Sequence, residues 1–407
     1  MSQTKMLEVV APAYLEKFSC LGAACPDDCC HGWAVGVDHD TYVRLKGLPD
    51  RELKPVIMHA LQRGAGKSGS GDYGFLAKQD DERGNCELLS TEGLCRLHQK
   101  CGEQMLPDVC STFPRLTKSL GGQLEQFASP ACPEIARLLL SDDDALLLQL
   151  SQQPVRQQMI GKGRPEMEWT ASRQVRDFFL TVLATAELPA WQSLAVLLLL
   201  AEVLQPLFHD DGADEQQVAA VLADWERQLL DGSLLQELGA LRRHDLLHVK
   251  VLAAASRVRA DLDFRNPRYL QLIEEALQGL VNGGGEEGDA GIARQFAAAD
   301  DIDSIDSVLR RVLFNHAASA LFPWTRRLLG EVQIMCIEYL TLRFWLAGLM
   351  QARGRSLRED EIIELIYLFY RVNIHMPTYL EQCGQAFQQA GMNKVEHWLL
   401  LLPLRAA

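Results

Sequence analysis

Nine of the eleven cysteines in this 407-residue chain fall before residue 133: Cys20, Cys25, Cys29, Cys30, Cys86, Cys95, Cys101, Cys110 and Cys132. Thiols at that density must bridge, bind metal or cycle between redox states, and the compartment decides among these. Met1 to Tyr14 shows no apolar stretch after a basic start, so no secretory signal is expected. The longest apolar run, Leu194 to Ala201, is far short of the ~20 residues that span a bilayer. The expectation is a cytoplasmic protein with no transmembrane segment; peripheral membrane contact stays open. A reducing compartment disfavours structural disulfides. Clustered cysteines there read as metal ligands or redox groups. The adjacent Cys29 and Cys30 would rarely bridge each other, yet both can face one cluster.

The first group has the pattern C-x4-C-x3-C-C, from Cys20 to Cys30. On a helical turn the i, i+4 spacing of Cys25 and Cys29 would put both sulfurs on one face. The second group, C-x8-C-x5-C-x8-C, runs from Cys86 to Cys110, with Cys132 beyond it. Thiolates suit iron–sulfur clusters and zinc. Spacing alone weighs the two equally, the zinc alternative being a staple that folds a core-poor region. The Gly- and Ser-rich stretch Arg63 to Gly74 separates the groups, which must meet in space if they share a metal. His31 and His98 are left outside the ligand set, since such histidines are more often exposed or capped. Arg115 has two readings: counter-ion to an anionic cluster or carboxylate, or member of an ordinary ion pair.

The fold expected is mainly α: a cysteine-rich, irregular metal-binding region over 1–140, then an all-helical domain over 141–407. Val35, Val37 and Tyr42 suggest a short strand or a loop into a helix. Ile305, Val308, Leu309, Val312 and Leu313 follow the stripe of an amphipathic helix. Asp300, Asp301, Asp303 and Asp306 crowd its start, where the helix dipole favours negative charge. Ser356 and Glu359 suggest a capping box ahead of Ile362 to Tyr370. Asn282 to Gly291 reads as an exposed loop. Tyr367, Tyr370 and His375 could line a pocket, although periodicity places the tyrosines in the core.

Several functions are disfavoured. The net charge of −14 argues against nucleic-acid binding. Residues 1–140 carry net −3 and residues 141–407 net −11; a cationic, lysine-bearing protein partner fits better. Gly64, Gly66 and Gly69 match G-x-G-x-x-G, but a helix-patterned stretch, Leu53 to Gln62, precedes them where a strand is required. No dinucleotide fingerprint, zinc-hydrolase pattern or CxxxCxxC motif appears.

Phe18-Ser19-Cys20-Leu21-Gly22, Cys25 and Cys29-Cys30-His31-Gly32-Trp33 resemble the opening of the bacterial flagellin lysine-N-methylases. The resemblance continues through Cys86-Glu87-Leu88-Leu89, Gly93-Leu94-Cys95, Gly102-Glu103, Cys110-Ser111-Thr112-Phe113-Pro114-Arg115 and Cys132-Pro133-Glu134. It implies transfer of methyl groups from S-adenosylmethionine to surface lysine ε-amines of flagellin. It also implies a [4Fe-4S] cluster that methyl transfer needs, by polar or radical chemistry. The implied metal ligands are drawn from Cys20, Cys25, Cys29, Cys30, Cys86, Cys95, Cys110 and Cys132, with the 20–30 group favoured. Cys101 falls where the family is expected to carry another residue. Eight thiols exceed the four that one cluster takes. The alternatives from other classes are a zinc-stabilised protein-binding module and a cysteine redox sensor.

Overall fold

The computed structural model describes residues 4–32, 35–66, 73–141, 143–162, 170–209, 212–242, 244, 247, 249, 251–252, 266–284, 291–292, 296, 302–320, 327–374 and 377–402. The chain divides into two compact units. The first holds 1–138, 147–162 and 264–268; the second holds the remainder.

The first unit is built on strands, where the sequence suggested irregular chain. Its elements begin with β1 (Thr4–Pro12), α1 (Tyr14–Lys17), β2 (Val35–Val37), α2 (His39–Lys46), α3 (Leu53–Ala60), β3 (Leu61–Arg63) and β4 (Gly74–Leu76). They continue with α4 (Arg96–Cys101), α5 (Asp108–Thr112), β5 (Arg115–Leu120), β6 (Gln123–Ala128) and α6 (Pro133–Ser141), inside which the chain passes to the second unit. It returns as β7 (Leu148–Arg156) and β8 (Gly161–Lys162). The five-stranded sheet has the order β7-β1-β6-β5-β8, and β1 pairs antiparallel with β7 along its whole length, from Thr4↔Arg156 to Pro12↔Leu148. An all-helical chain after residue 140 is therefore corrected at β7. Tertiary pairing with β1, 140 residues upstream, fixes that strand, and no local propensity announces it.

Strands β5 and β6 form a hairpin across Gly121 and Gly122, whose φ values are +55° and +82°. A tight two-residue hairpin of this kind needs positive φ at both positions, which glycine adopts at little cost. A second sheet, β2-β4-β3, lies against Leu45, Ile57, Leu88 and Leu97 to make a small apolar core. The G-x-G-x-x-G stretch connects β3 to β4 in an antiparallel hairpin. A short strand does precede the glycines, contrary to expectation, but it turns back on β4 instead of opening a phosphate-binding helix. Gly69 lies outside the described residues.

The second unit is helical: α7 (Thr170–Ala184), α8 (Ala190–Leu204), α9 (Glu215–Leu230), α10 (Ser233–Gly239), α11 (Pro267–Gly284), α12 (Ile302–Ala320) and α13 (Leu328–Arg353). Then come α14 (Glu359–Phe369), a π-helical turn (Tyr370–Ile374), α15 (Pro377–Gln389) and α16 (Val395–Leu399). A two-residue ribbon pairs Phe208–His209 with Gly212–Ala213. The amphipathic stripe expected from Ile305 to Leu313 is the buried face of α12. Asn282 to Gly284 extend α11; 285–290 lie outside the described residues.

Helix α13 is apolar nearly all round because α8, α12, α14 and α15 enclose it. By length and composition α13 and Ala190–Leu207 could each cross a membrane, but 89% and 61% of their most apolar 18-residue windows are buried, as in core helices. Trp345 of α13 packs edge-on to Tyr269 and Phe369, with ring centroids 5.7 Å apart in each case.

Helix α11 crosses α13 where Gly279 and Gly348 meet. A Cβ on Gly348 would lie 2.4 Å from the Ala276 carbonyl oxygen, and one on Gly279 would lie 2.3 Å from that of Gly348. Both contacts are with backbone, so the helices themselves would have to separate. Gly348→Val should therefore cost about 1–3 kcal/mol by denaturant unfolding. Gly239→Ala, with open space around it, should be neutral or stabilising.

Helix α14 begins at Glu359 with Arg358 as its N-cap. The capping box is displaced by two residues from Ser356 and Glu359: Glu361 accepts the Arg358 backbone N–H at 2.7 Å and pairs with Arg353, Arg355 and Arg358. Its bond to Arg355, with the other two arginines, holds the carboxyl at a pKa of about 2. A depressed carboxylate contributes stability above its unfolded pKa and loses it as pH falls. Wild-type stability should therefore drop as pH falls from about 4.5 to 2. Glu361→Gln should be less stable at pH 7, with a shallower fall over that window in urea unfolding.

Candidate metal centre

The first unit brings the two cysteine groups together. The Cys86 backbone N–H donates to the Cys30 carbonyl at 2.6 Å, and isolated bridges join His31 to Asn85 and Leu89 to Cys95. Cys30, Cys86, Cys95 and Cys110 pack on one apolar core, together with Cys101. The 55 residues between Cys30 and Cys86 supply α2, α3 and the β2-β4-β3 sheet on which both segments rest.

The Cys30 thiol interacts with the Cys29 and Cys95 sulfurs, which with burial raises its pKa. The Cys30 contact favours the Cys95 thiolate, which lies beside the Leu97 and His98 amides at the start of α4, so its pKa falls to about 6 despite burial. A thiolate at a helix N-terminus is favoured in this way. Burial raises Cys86 to about 11, with Cys95, Glu87 and Cys29 adding to the shift. Cys110 is raised well above the ordinary range by burial and by Cys29, Cys95 and Cys86. Five thiols, Cys29, Cys30, Cys86, Cys95 and Cys110, thus share one neighbourhood in which full ionisation needs a cation. A soft metal supplies that charge and displaces the protons, so the residues fit a thiolate-held metal or iron–sulfur group.

The other predicted ligands lie elsewhere in the unit. The electrostatic neighbours of Cys132, raised to about 11 by burial, are Cys25 and Cys20. Cys20 is exposed, Cys25 half-buried and Cys132 buried. The 20–30 group therefore contributes to two neighbourhoods.

The loop between them is pinned by charge. Asp28 accepts the Cys30 amide at 2.9 Å, Asp27 meets His31 Nε2 at 3.1 Å, and Arg83 binds Asp27 at 2.5 Å and Asp28 at 3.3 Å. The ligand atoms of Asp27, Asp28 and His31 lie within 4.8 Å of one another, and Arg83 pairs with both carboxylates. His98 is exposed on α4. Arg156, buried on β7, bonds Asp108 at 2.6 Å and the carbonyls of Glu103 and Leu106 at 3.0 and 3.4 Å. It thereby ties the segment leading to Cys110 onto the sheet.

The second unit contains a polar cluster that periodicity missed. Glu338, fully buried on α13, accepts from Tyr370 and lies 2.5 Å from His316 Nδ1. Burial and the Glu338 charge hold the Tyr370 phenol protonated. Asn373, on the π-helical turn, donates to Tyr269 at 2.8 Å. Asp306 accepts from Tyr339 at 2.9 Å and from the first amide of α8; it caps a neighbouring helix instead of its own. Glu338 and Arg343 within an otherwise apolar α13 were the available signal. Tyr367 and Tyr370 are both buried, and His375 lies outside the described residues.

Residues 176–401 match the family model of the FliB lysine N-methylase C-terminal domain. The chain is 24% identical over 400 residues to the lysine-N-methylase of Salmonella typhimurium, covering 91% of this chain and 93% of that protein. The lysine-N-methylase of Salmonella choleraesuis is 24% identical over 382 residues. The flagellar biosynthetic protein FliU of Salmonella muenchen is 31% identical over 144 residues, 35% of this chain and 83% of that protein. No solved structure matches.

Arg156→Met should remove the charged partner of half-buried Asp108, which keeps its bond from Gln158, and leave two carbonyls without their donor, destabilising the protein by about 1–3 kcal/mol in urea unfolding. Arg156→Lys, which keeps the charge but not the fork, should lose less. With its match extending through most of the helical unit, the chain belongs to the FliB lysine N-methylase family.

Proposed function

We propose that this protein is a cytoplasmic methyltransferase that moves methyl groups from S-adenosylmethionine to lysine ε-amines on flagellin and uses a [4Fe-4S] cluster to do so. The lysine methylation part is supported by family membership and by the names of relatives matched over nearly their full length. The flagellar substrate is supported by the FliU relative and by the net charge of −14, which suits a lysine-bearing partner. The cluster is supported by one structural observation: Cys29, Cys30, Cys86, Cys95 and Cys110 converge from three separate segments onto one core.

Four of those five thiols would hold the cluster, since four thiolates complete a four-iron cube. When bound, the cluster supplies redox and electrostatic chemistry that no side chain of this protein offers. The protein's part is to bury the sulfurs, fix their spacing through the Cys86–Cys30 backbone bond and hold the adjacent Asp27–Asp28 loop with Arg83. This assignment shifts weight from the 20–30 group alone to a set spread across both cysteine groups.

Protein purified without oxygen, incubated with unmethylated flagellin and S-adenosylmethionine, should yield methyl-lysines by peptide mass spectrometry, and none without the donor. Cys95→Ser should lose the iron–sulfur absorbance and at least 90% of the methylation, whereas Cys101→Ala should keep both. Folded, iron-loaded wild type that leaves flagellin unmodified would overturn the methylation assignment. Bound zinc without labile sulfide would favour the zinc-stabilised module.

A further inference from the structure

Strand β7 lies at one edge of the five-stranded sheet, and among the described residues no strand pairs with its outer side. The Ala13 amide donates to the Leu147 carbonyl at 2.9 Å. Hydrogen-bonded and non-hydrogen-bonded pairs alternate along an antiparallel ladder. The β1–β7 register therefore turns the backbone groups of Leu148 and Leu150 away from β1. Their side chains are exposed as well, Leu148 by 41% and Leu150 by 63%, beside Leu147 at 60%. No charged residue stands anywhere from Ala145 to Val155. Sheet edges are ordinarily blunted by charge, by proline or by a covering segment. Pro154 serves only the far end of β7, so the stretch from Leu147 to Ser151 has no such guard.

Residues directly opposed on neighbouring strands share a face of the sheet. Pro12 stands opposite Leu148 and Val10 opposite Leu150, so the exposed leucines extend an apolar band that begins on β1. A strand added here must offer apolar side chains at alternate positions and no charge. A lysine-bearing partner does not fit, because it needs carboxylates that this stretch lacks. The edge fits itself. An antiparallel two-fold through Gln149 sets Leu148 against the partner's Leu150 and Leu150 against the partner's Leu148. These are the residues whose backbone groups point outward, so each pair can exchange both of its hydrogen bonds. Other registers fit less well. A two-fold through Leu150 leaves Leu148 against the partner's Gln152. One through Leu148 needs Leu146, which is buried at the end of a 3-10 turn. The net charge of −14 opposes contact between copies over the surface at large, whereas this uncharged edge brings no like charges together.

We infer that the β7 edge from Leu147 to Ser151 is a self-association surface: two copies of the chain pair antiparallel about Gln149 and continue one sheet across both. The contact is isologous, so it uses up this edge on each copy and closes at two chains. The inference rests on strand register and side-chain chemistry and is independent of the methylation assignment.

The test measures the solution mass of full-length protein, purified without oxygen, by sedimentation over a concentration series, with folding checked by circular dichroism. Wild type should reach twice the chain mass. Leu148→Lys and Leu150→Glu, both at exposed positions, should each lose the dimer, since pairing would bury a charge against a leucine. Mixing the two variants should restore it. The two-fold then sets the introduced ammonium of one chain against the introduced carboxylate of the other, and leaves leucine opposite leucine in the second pair. Val203→Lys, at an exposed position on α8, should leave the mass unchanged. Wild type that keeps the single-chain mass at every concentration overturns the inference. So does a dimer that survives either edge variant, one that mixing fails to restore, or a mass that keeps growing past two chains.

Discussion

Buried thiols crowded within reach of one another cannot all ionise, and the first unit is organised around that cost. Cys30 is held protonated beside Cys29 and Cys95, while burial and neighbouring sulfurs push Cys86 and Cys110 upward. Left to water, such a group would be an expensive way to fill a core. On the proposed function a metal cation would reverse the balance, since each thiolate would then gain a bond in place of a repulsion. The small apolar core beneath the thiols, centred on Leu45, Ile57, Leu88 and Leu97, acts as the floor that holds them at fixed spacing.

Charge is handled separately around the two thiol neighbourhoods. Arg156 is fully engaged with Asp108 and two carbonyls beside Cys110, so it fixes backbone. Arg115 stacks over the Phe18 ring, with Glu103, Cys20 and Cys132 as its electrostatic neighbours. Arg83 clamps Asp27 and Asp28 in the loop that links Cys25 to Cys29.

The helical unit poses a different problem, that of keeping charge inside an apolar bundle. Glu338 and Arg343 lie on a helix enclosed on all sides. Glu338 is balanced by the Tyr370 hydroxyl and His316, and Arg343 reaches the Leu402 carbonyl at 3.2 Å. Asp306 binds Tyr339 and the start of α8. These contacts join separate elements, so the bundle's geometry is specified by polar pairing as well as by packing at the Gly279–Gly348 crossing.

Local pattern carried much of this protein. Cysteine count and spacing pointed to thiolate ligation, the Ile305 to Leu313 stripe predicted α12, and the motif order from Phe18 to Glu134 pointed to the family. These features are legible because they depend on neighbours a few residues away. The Gly121–Gly122 hairpin signal was equally local and was passed over amid the cysteines. Long-range pairing was beyond the sequence. Strand β7 exists because β1 receives it; Cys30 meets Cys86 because a sheet and two helices fold between them; Asp306 caps a helix other than its own. Which thiols share a neighbourhood, and which carboxylate each buried arginine meets, were decided by tertiary structure, because both depend on contacts between residues far apart in the chain.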